Sequence, residues 1–328
     1  MTENEFILQD RITKIQSVIN KYGEDNFSIS FSGGKDSTVL HYLIDMAIPG
    51  NNIPRVYANT GIELNMIRDF VIELSKTDPR INIIKPAVPI KKTLEQDGYP
   101  FKSKMHASIV KKYQKKGFDY KVVRAYIGKE NTMSGRPIFR QCPKKLLYQF
   151  SEENTLKISD MCCVRLKEEP LENWQKEHNK PYVIIGVMRA EGGRRENAPC
   201  MTFNGKKLIK FQPLAPIDKA WESWFIETYN IDICDIYKPP YNFDRTGCKG
   251  CPFGLYLQHE LDILEKFFPA ERKQCELIWA PVYKEYRRLG YRLNREEEKE
   301  PDFEKQITFD DLLKDNPENA QEVENETY

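Results

Sequence analysis

From Phe6 to Tyr22 apolar side chains recur at helical spacing (Ile7, Ile12, Ile15, Val18, Ile19), and Gly23 follows as a stop signal. Phe27-Ser28-Ile29-Ser30-Phe31 alternates as a strand, a glycine pair comes next, and helical periodicity resumes from Thr38 to Met46. Arg55–Ala58 is a second short strand, Leu64–Ser75 a second crossover helix and Ile81–Ile84 a third strand. Such alternation predicts an α/β fold: a Rossmann-like parallel sheet with helices on both faces and ligands at the carboxyl ends of the strands.

Regularity weakens between about Thr93 and Asp160, which reads as an insertion. Tyr182–Val187 is β-rich, Trp221–Tyr229 helical, and Glu260–Leu289 one or two helices interrupted at Pro269. The run Lys238-Pro239-Pro240-Tyr241-Asn242-Phe243-Asp244 predicts a surface connection leading into Cys248. The expected parts are 1–92 and 161–230, two halves of one nucleotide-binding α/β domain, a basic insertion at 93–160, a cysteine-bearing helical region at 231–295 and an acidic tail at 296–328. There is no internal repeat.

Charge sharpens this division. The net charge is +1, yet Phe101–Phe150 holds thirteen Lys and Arg against two acids, and Glu296–Tyr328 holds thirteen acids against three lysines. The sequence contains no apolar stretch near the roughly 18 residues that a membrane span requires. Its acidic start, Met1-Thr2-Glu3-Asn4-Glu5, lacks the basic and apolar regions of a signal peptide, so the expected location is cytoplasmic. In a reducing compartment, clustered members of the eight cysteines suggest metal or redox chemistry before disulfides.

Gly33 and Gly34 stand directly after a strand, where they let the backbone turn sharply and aim N–H groups at an anion on a helix N-terminus. Lys35 adds a point charge, Ser32 and Ser37 add hydroxyls, and Asp36 suits a helix cap or a magnesium ion. The Walker A spacing is absent, which excludes an ordinary P-loop.

The run Ser32-Gly33-Gly34-Lys35-Asp36-Ser37 resembles the PP-loop of the adenine nucleotide alpha-hydrolase superfamily. Asn59-Thr60-Gly61-Ile62-Glu63, Cys162-Cys163-Val164-Arg165-Leu166-Lys167, Gly186-Val187-Met188-Arg189-Ala190-Glu191 and Gly247-Cys248-Lys249-Gly250-Cys251-Pro252-Phe253 follow in the order of the phosphoadenylylsulfate (PAPS) reductase-like branch. Gly98-Tyr99-Pro100-Phe101-Lys102-Ser103-Lys104 and Arg245-Thr246-Gly247-Cys248 are similar to its phage and mobile-element members. The resemblance implies an enzyme that cuts ATP between the α and β phosphates with Mg2+. Lys35, Asp36 and Arg189 would act in catalysis, with Ser32, Gly33, Gly34, Ser37, Asn59, Thr60, Gly61, Glu63, Gly186 and Arg245 around the nucleotide. Two departures stand out. Asn59 replaces the usual Asp, and no cysteine follows Cys275, whereas true PAPS reductases use a C-terminal thiolate.

Cys162-Cys163 and Cys248-x-x-Cys251 supply four thiols, which suit either a tetrahedral zinc or an iron–sulfur cluster. The resemblance favours a [4Fe-4S] cluster over zinc. Cys142, Cys200, Cys234 and Cys275 lack partners at ligand spacing and read as packing, although Cys142 and Cys200 have polar surroundings that suit a reactive thiol. Arg189 follows a strand at its carboxyl end and suits a phosphate, with Arg194 and Arg195 close behind. His41 reads as packing, and His106, His178 and His259 show no partner spacing.

Within residues 101–150, lysines such as Lys111, Lys115 and Lys121 interleave with Tyr113, Phe118, Tyr120 and Tyr126. That composition suits DNA or RNA, and equally a solvated amphipathic helix or a basic patch that neutralises the acidic tail. The leading expectation is adenylation in sulfur transfer, of the nucleic-acid phosphorothioation or thiolation type, served by a sulfur donor or thioredoxin-like protein. The alternatives are a thiol-dependent PAPS or adenylylsulfate reductase and an inactive nucleotide-sensing or DNA-binding regulator.

Overall fold

The computed structural model describes residues 1–131, 141–191 and 195–295. The acidic tail, residues 132–140 of the basic segment and Arg194 lie outside the described residues. In chain order the elements are α1 (Glu3–Tyr22), β1 (Phe27–Ser30), α2 (Lys35–Ala47), β2 (Arg55–Ala58), α3 (Asn65–Thr77), β3 (Ile81–Ile84), α4 (Ile90–Asp97), α5 (Lys104–Lys116), α6 (Lys121–Tyr126), α7 (Met161–Cys163), α8 (Glu169–Glu177), β4 (Tyr182–Ile185), β5 (Met201–Asn204), β6 (Lys207–Phe211), α9 (Lys219–Thr228), α10 (Leu257–Phe267) and α11 (Pro269–Leu289). Val164–Glu168, between α7 and α8, is π-helical, a geometry frequent at functional sites.

The first unit comprises Met1–Ile90 and Cys163–Cys248. Its six strands run in the order β3-β2-β1-β4-β6-β5. All neighbours are parallel except β5, which returns antiparallel on β6. The Rossmann-like α/β architecture expected from the alternation is present. Helix α1 starts three residues earlier than its periodicity suggests because Thr2 and Glu5 form a capping box, with the Thr2 N–H donating to Glu5 Oε2 at 2.7 Å. Helix α2 likewise starts three residues early, directly on its N-cap Gly34.

Helices cover both faces of this sheet. Phe27, Ile29, Ile184, Leu208 and Phe211 pack with Ile15, Val39, Leu43 and Trp221, and Phe31, Tyr57 and Ile81 pack in a second cluster with Val71 of α3. Each fully buried aliphatic contributes roughly 1.5–3 kcal/mol, so this burial dominates the stability of the unit.

The second unit comprises Lys91–Cys162 and the described residues from Lys249 to 295. The basic segment, expected to be irregular, is helical. Ser103 caps α5 by accepting from the His106 N–H at 3.2 Å, and Gly117 ends it at φ +54°. His106, Ala107, Ile109 and Val110 form its buried face, a helical pattern diluted in the sequence by lysines on the opposite side. Helices α10 and α11 break near Pro269 as expected; Pro281 inside α11 is tolerated because Trp279, Val282, Tyr283 and Tyr286 are buried around it.

Candidate functional site

Strand β1 lies between β2 and β4, so the chain winds outward to β3 and then returns to the opposite side of β1. The connections leaving β1 and β4 therefore diverge, which opens the crevice where ligands bind in sheets of this kind. Ser32–Ser37 follows β1 and Gly186–Arg189 follows β4, so both expected elements belong to this switch point.

Three glycines shape it through close approach. Gly33 has φ +68°, and a Cβ there would lie 2.5 Å from Val71 Cγ2 of α3. At Gly34 a Cβ would meet Ser32 Oγ at 3.1 Å and Tyr237 Oη at 3.3 Å. One at Gly186 would meet the Asp36 carbonyl oxygen at 2.9 Å, so β4 presses its exit against the first turn of α2. The first-turn N–H groups of a helix have no intrahelical acceptors and carry the positive end of its dipole.

The loop is internally braced. Ser37 Oγ donates to the Gly34 carbonyl at 2.8 Å and lies 3.0 Å from Ser32 Oγ, which accepts from the Gly34 N–H at 3.3 Å. Ser37 thus braces the loop from inside. Beneath the sheet end, Thr60 donates its backbone N–H to Glu63 Oε2 at 3.1 Å and its hydroxyl to Glu63 Oε1, and Gly61 N–H donates to Asn59 Oδ1 at 3.2 Å. Glu63, buried, is consumed in holding that turn, and it forms a backbone bridge with Cys248.

Several residues at the loop were not singled out from the sequence. Tyr237 and Thr246 share a hydrogen bond above Gly34, and burial raises the Tyr237 phenol. Lys35 Nζ lies 2.9 Å from Oε2 of Glu222, a fully buried carboxylate on α9. The contact is ionic more than directional, since neither Glu222 oxygen has an aligned hydrogen-bond donor among the described residues. Burial and the adjacent Asp36 carboxylate push Glu222 up to about 7 against the pull of Lys35.

Arg189 stands past the end of β4 as expected, but it is exposed and its Nε donates to the Ala198 carbonyl at 2.8 Å. Arg245 is exposed, next to Asp244, whose carboxylate pairs with Lys219 at 2.7 Å. A cleft of about 890 Å3 lined by Ser30, Gln175, Lys180, Val183, Lys207 and Lys210, among others, contains no residue of the phosphate loop. We take the switch point as the site, because there the backbone donors, helix dipole and lysine converge.

In the first unit, Cys163 and Cys248 both lie near the buried Lys167 ammonium, whose charge is favoured first by Cys248. Burial raises the Cys248 thiol while Lys167 opposes it. In the second unit Cys162 is buried and Cys251 half-buried. The turn carrying Cys251 is held by α11: Trp279 Nε1 donates to the Lys249 carbonyl at 3.0 Å, Tyr283 to that of Gly250, and Tyr286 to that of Pro252 at 2.8 Å. Among the described residues no three His, Cys, Asp or Glu side chains converge on a point that a metal ion could occupy. Cys275 and Cys234 are buried, in keeping with packing. Burial pushes the Cys142 thiol up to about 12, the opposite of an activated nucleophile.

In the basic segment, Tyr126 is fully buried against His106, and Tyr113 packs on Phe118 and Phe150 at centroid distances of 5.0 and 5.5 Å. Those rings serve the core of their unit. Among the described residues no helix is long and apolar enough to cross a membrane.

Residues 130–253 match the family profile of the phosphoadenosine phosphosulfate reductase domain. That stretch contains all four clustered cysteines and Gly186, and it does not reach the phosphate loop. No curated protein sequence matches the chain. Among solved structures, the chain is similar to phosphoadenylyl-sulfate (PAPS) reductase from Candida auris in its phosphate complex, with 14% identity, TM-score 0.38, and 72% of this chain and 91% of that one covered. It is also similar to the U34-tRNA thiolase NcsA from Methanococcus maripaludis with its [4Fe-4S] cluster, with 15% identity, TM-score 0.35 and coverages of 93% and 86%. A third is the NH3-dependent NAD synthetase from Campylobacter jejuni in complex with the nitrate ion, with 12% identity, TM-score 0.40 and coverages of 88% and 97%. Likenesses this distant carry no argument about the reaction.

Proposed function

We propose, from the match of residues 130–253 to the phosphoadenosine phosphosulfate reductase domain, that the chain is a nucleotide alpha-hydrolase acting in sulfur transfer. ATP would lie at the switch point with its phosphates on the first turn of α2; an oxygen of the acceptor would bond to the α phosphorus as the bond to the β phosphate breaks, so that AMP passes to the acceptor and pyrophosphate leaves. The observation that carries this reading is the Gly33, Gly34 and Gly186 cradle around a helix N-terminus bearing Lys35.

The chemistry asked of the protein is positioning and charge neutralisation. Lys35 stabilises the departing pyrophosphate, and Asp36 would hold a magnesium ion, which would supply further neutralisation of phosphate charge. Arg189, once it leaves the Ala198 carbonyl, adds a planar fork to the phosphates. Asn59, Thr60, Gly61 and Arg245 border the nucleotide; Glu63 supports Thr60 from behind. The acceptor we favour is a nucleic acid held by the basic segment, with sulfur brought by a donor protein; no step is assigned to the cysteines.

Pyrophosphate release from ATP labelled at the β phosphate tests the reading. The wild-type chain should release labelled pyrophosphate, and Lys35→Ala should lose at least about a hundredfold in turnover while still folding, with a lowered melting temperature because the buried Glu222 carboxylate loses its cation. Full activity in Lys35→Ala, or sulfite formation from PAPS with thioredoxin and no pyrophosphate from ATP, would overturn it.

A further inference from the structure

Helix α9 buries one face against the sheet and α1. Asp218 caps it by accepting from the Trp221 N–H at 2.8 Å, Trp221 stacks on Phe225 at 5.1 Å, and the Trp221 indole donates to the Asn4 carbonyl at 3.0 Å. Glu222, 0% exposed, sits between these two aromatics in sequence and is the buried acid of an otherwise apolar stretch. Packing does not require a charge there, and a buried carboxylate is costly. Its counter-charge is the lysine of the phosphate loop, 2.9 Å away.

We propose that Glu222 is a positioning residue: its carboxylate anchors the Lys35 ammonium so that a phosphate meets a cation already fixed in place. The inference rests on the nucleotide reading above and adds a residue to it. A rival geometry, in which Lys35 leaves Glu222 for the phosphate, would strand a buried carboxylate without its cation. Breaking one partner away from a buried pair is among the costliest changes a site can make. The contact with Glu222 is ionic and an ammonium has three donors, so Lys35 can keep its buried counter-charge while its N–H groups serve a phosphate. Helix α2 packs directly on α9, and Lys35 is its first residue, so the anchor is transmitted through one backbone turn.

The anchoring role and a merely structural one differ in what happens to Lys35. If Glu222 only filled space, Glu222→Gln would be neutral for activity and for Lys35; if it held the fold together through charge alone, Glu222→Gln would melt earlier with Lys35 no more reactive in the folded chain. An anchor predicts a freed Lys35 and impaired chemistry in a chain that still folds, whichever way its melting temperature moves. Wild type, Glu222→Gln and Glu222→Asp should be compared as full chains by amine-reactive labelling of Lys35, read by mass spectrometry, and by steady-state pyrophosphate release.

In Glu222→Gln, Lys35 should label several-fold faster, and kcat should fall about tenfold with KM for ATP changed much less, because the misplaced charge matters most as pyrophosphate departs. Glu222→Asp, which keeps the charge on a shorter arm, should fall between the two and serves if Glu222→Gln misfolds. Unchanged Lys35 labelling in both variants overturns the anchor whatever the substrate is. Labelling that responds while the wild type releases no pyrophosphate supports the anchor and overturns the nucleotide reading alone.

Discussion

Gly186 carries its constraint in a single missing atom. A Cβ there would lie 2.9 Å from the Asp36 carbonyl oxygen and 3.2 Å from its carbon, and backbone at the start of a helix cannot step aside as a side chain can. Gly186→Ala should therefore destabilise the first unit by about 1–3 kcal/mol and weaken nucleotide binding, because the repair pushes α2 away from the crevice. Gly61 is the control: its φ is +76° but a Cβ meets nothing within 4 Å, so Gly61→Ala should cost about 1 kcal/mol of backbone strain and little else. Thermal melting and titration with a non-hydrolysable ATP mimic separate the two. Equal losses in both variants would remove the close-approach argument. The phosphate loop was legible because its residues are consecutive and its chemistry local. Glu222, Tyr237 and Thr246 were not, since each reaches the loop across some 190 or more positions of chain that only the folded sheet brings together.

At the scale of elements, the first three strands could be read because each is a short apolar run between turn residues. The β5–β6 hairpin escaped, although Gly205 stands at the first position of its two-residue turn with φ +58°, because the exposed Lys207 and Lys210 interrupt the apolar pattern of β6. Helix α11 shows what periodicity alone misses. Its residues 279, 283 and 286 lie along one stripe and cap three carbonyls of the Lys249–Pro252 turn, so a helix face that reads as apolar core is also the brace of the Cys-x-x-Cys loop. Tyr286→Phe removes the donor to the Pro252 carbonyl and the acceptor for the Lys102 N–H at 2.7 Å, and leaves the ring contact with Phe101 intact. The expected cost is about 2 kcal/mol, one for each hydrogen bond lost, with faster hydrogen exchange at residues 249–252. Exchange there at the wild-type rate would mean that the ring, not the hydroxyl, holds the turn.

Each unit of the molecule hides one neutral histidine, and each contributes to how its unit responds to acid. Burial first, and then the Arg55 charge, holds His41 down at about 4; Arg55 Nε donates to its Nδ1 at 3.1 Å inside a network with Asp45, Asp78 and Arg80. Burial holds His106 at about 4 as well, against the hydrogen bond with Gln149 and with the help of Lys102 and Arg292. Above the unfolded value of about 6.5 both states carry neutral rings and stability is insensitive to these groups. Between pH 6.5 and 4 the unfolded chain binds protons that the folded chain refuses, so stability falls as pH falls, by on the order of 3 kcal/mol for each histidine over the window. Urea unfolding at pH 7 and pH 5, followed by hydrogen exchange to report each unit, should show both units weakening. His41→Gln should flatten the response of the first unit alone and His106→Gln that of the second. A slope in the first unit that survives His41→Gln would assign its acid sensitivity to Asp45 and Asp78, whose carboxyls Arg80 holds below their usual range against the effect of burial.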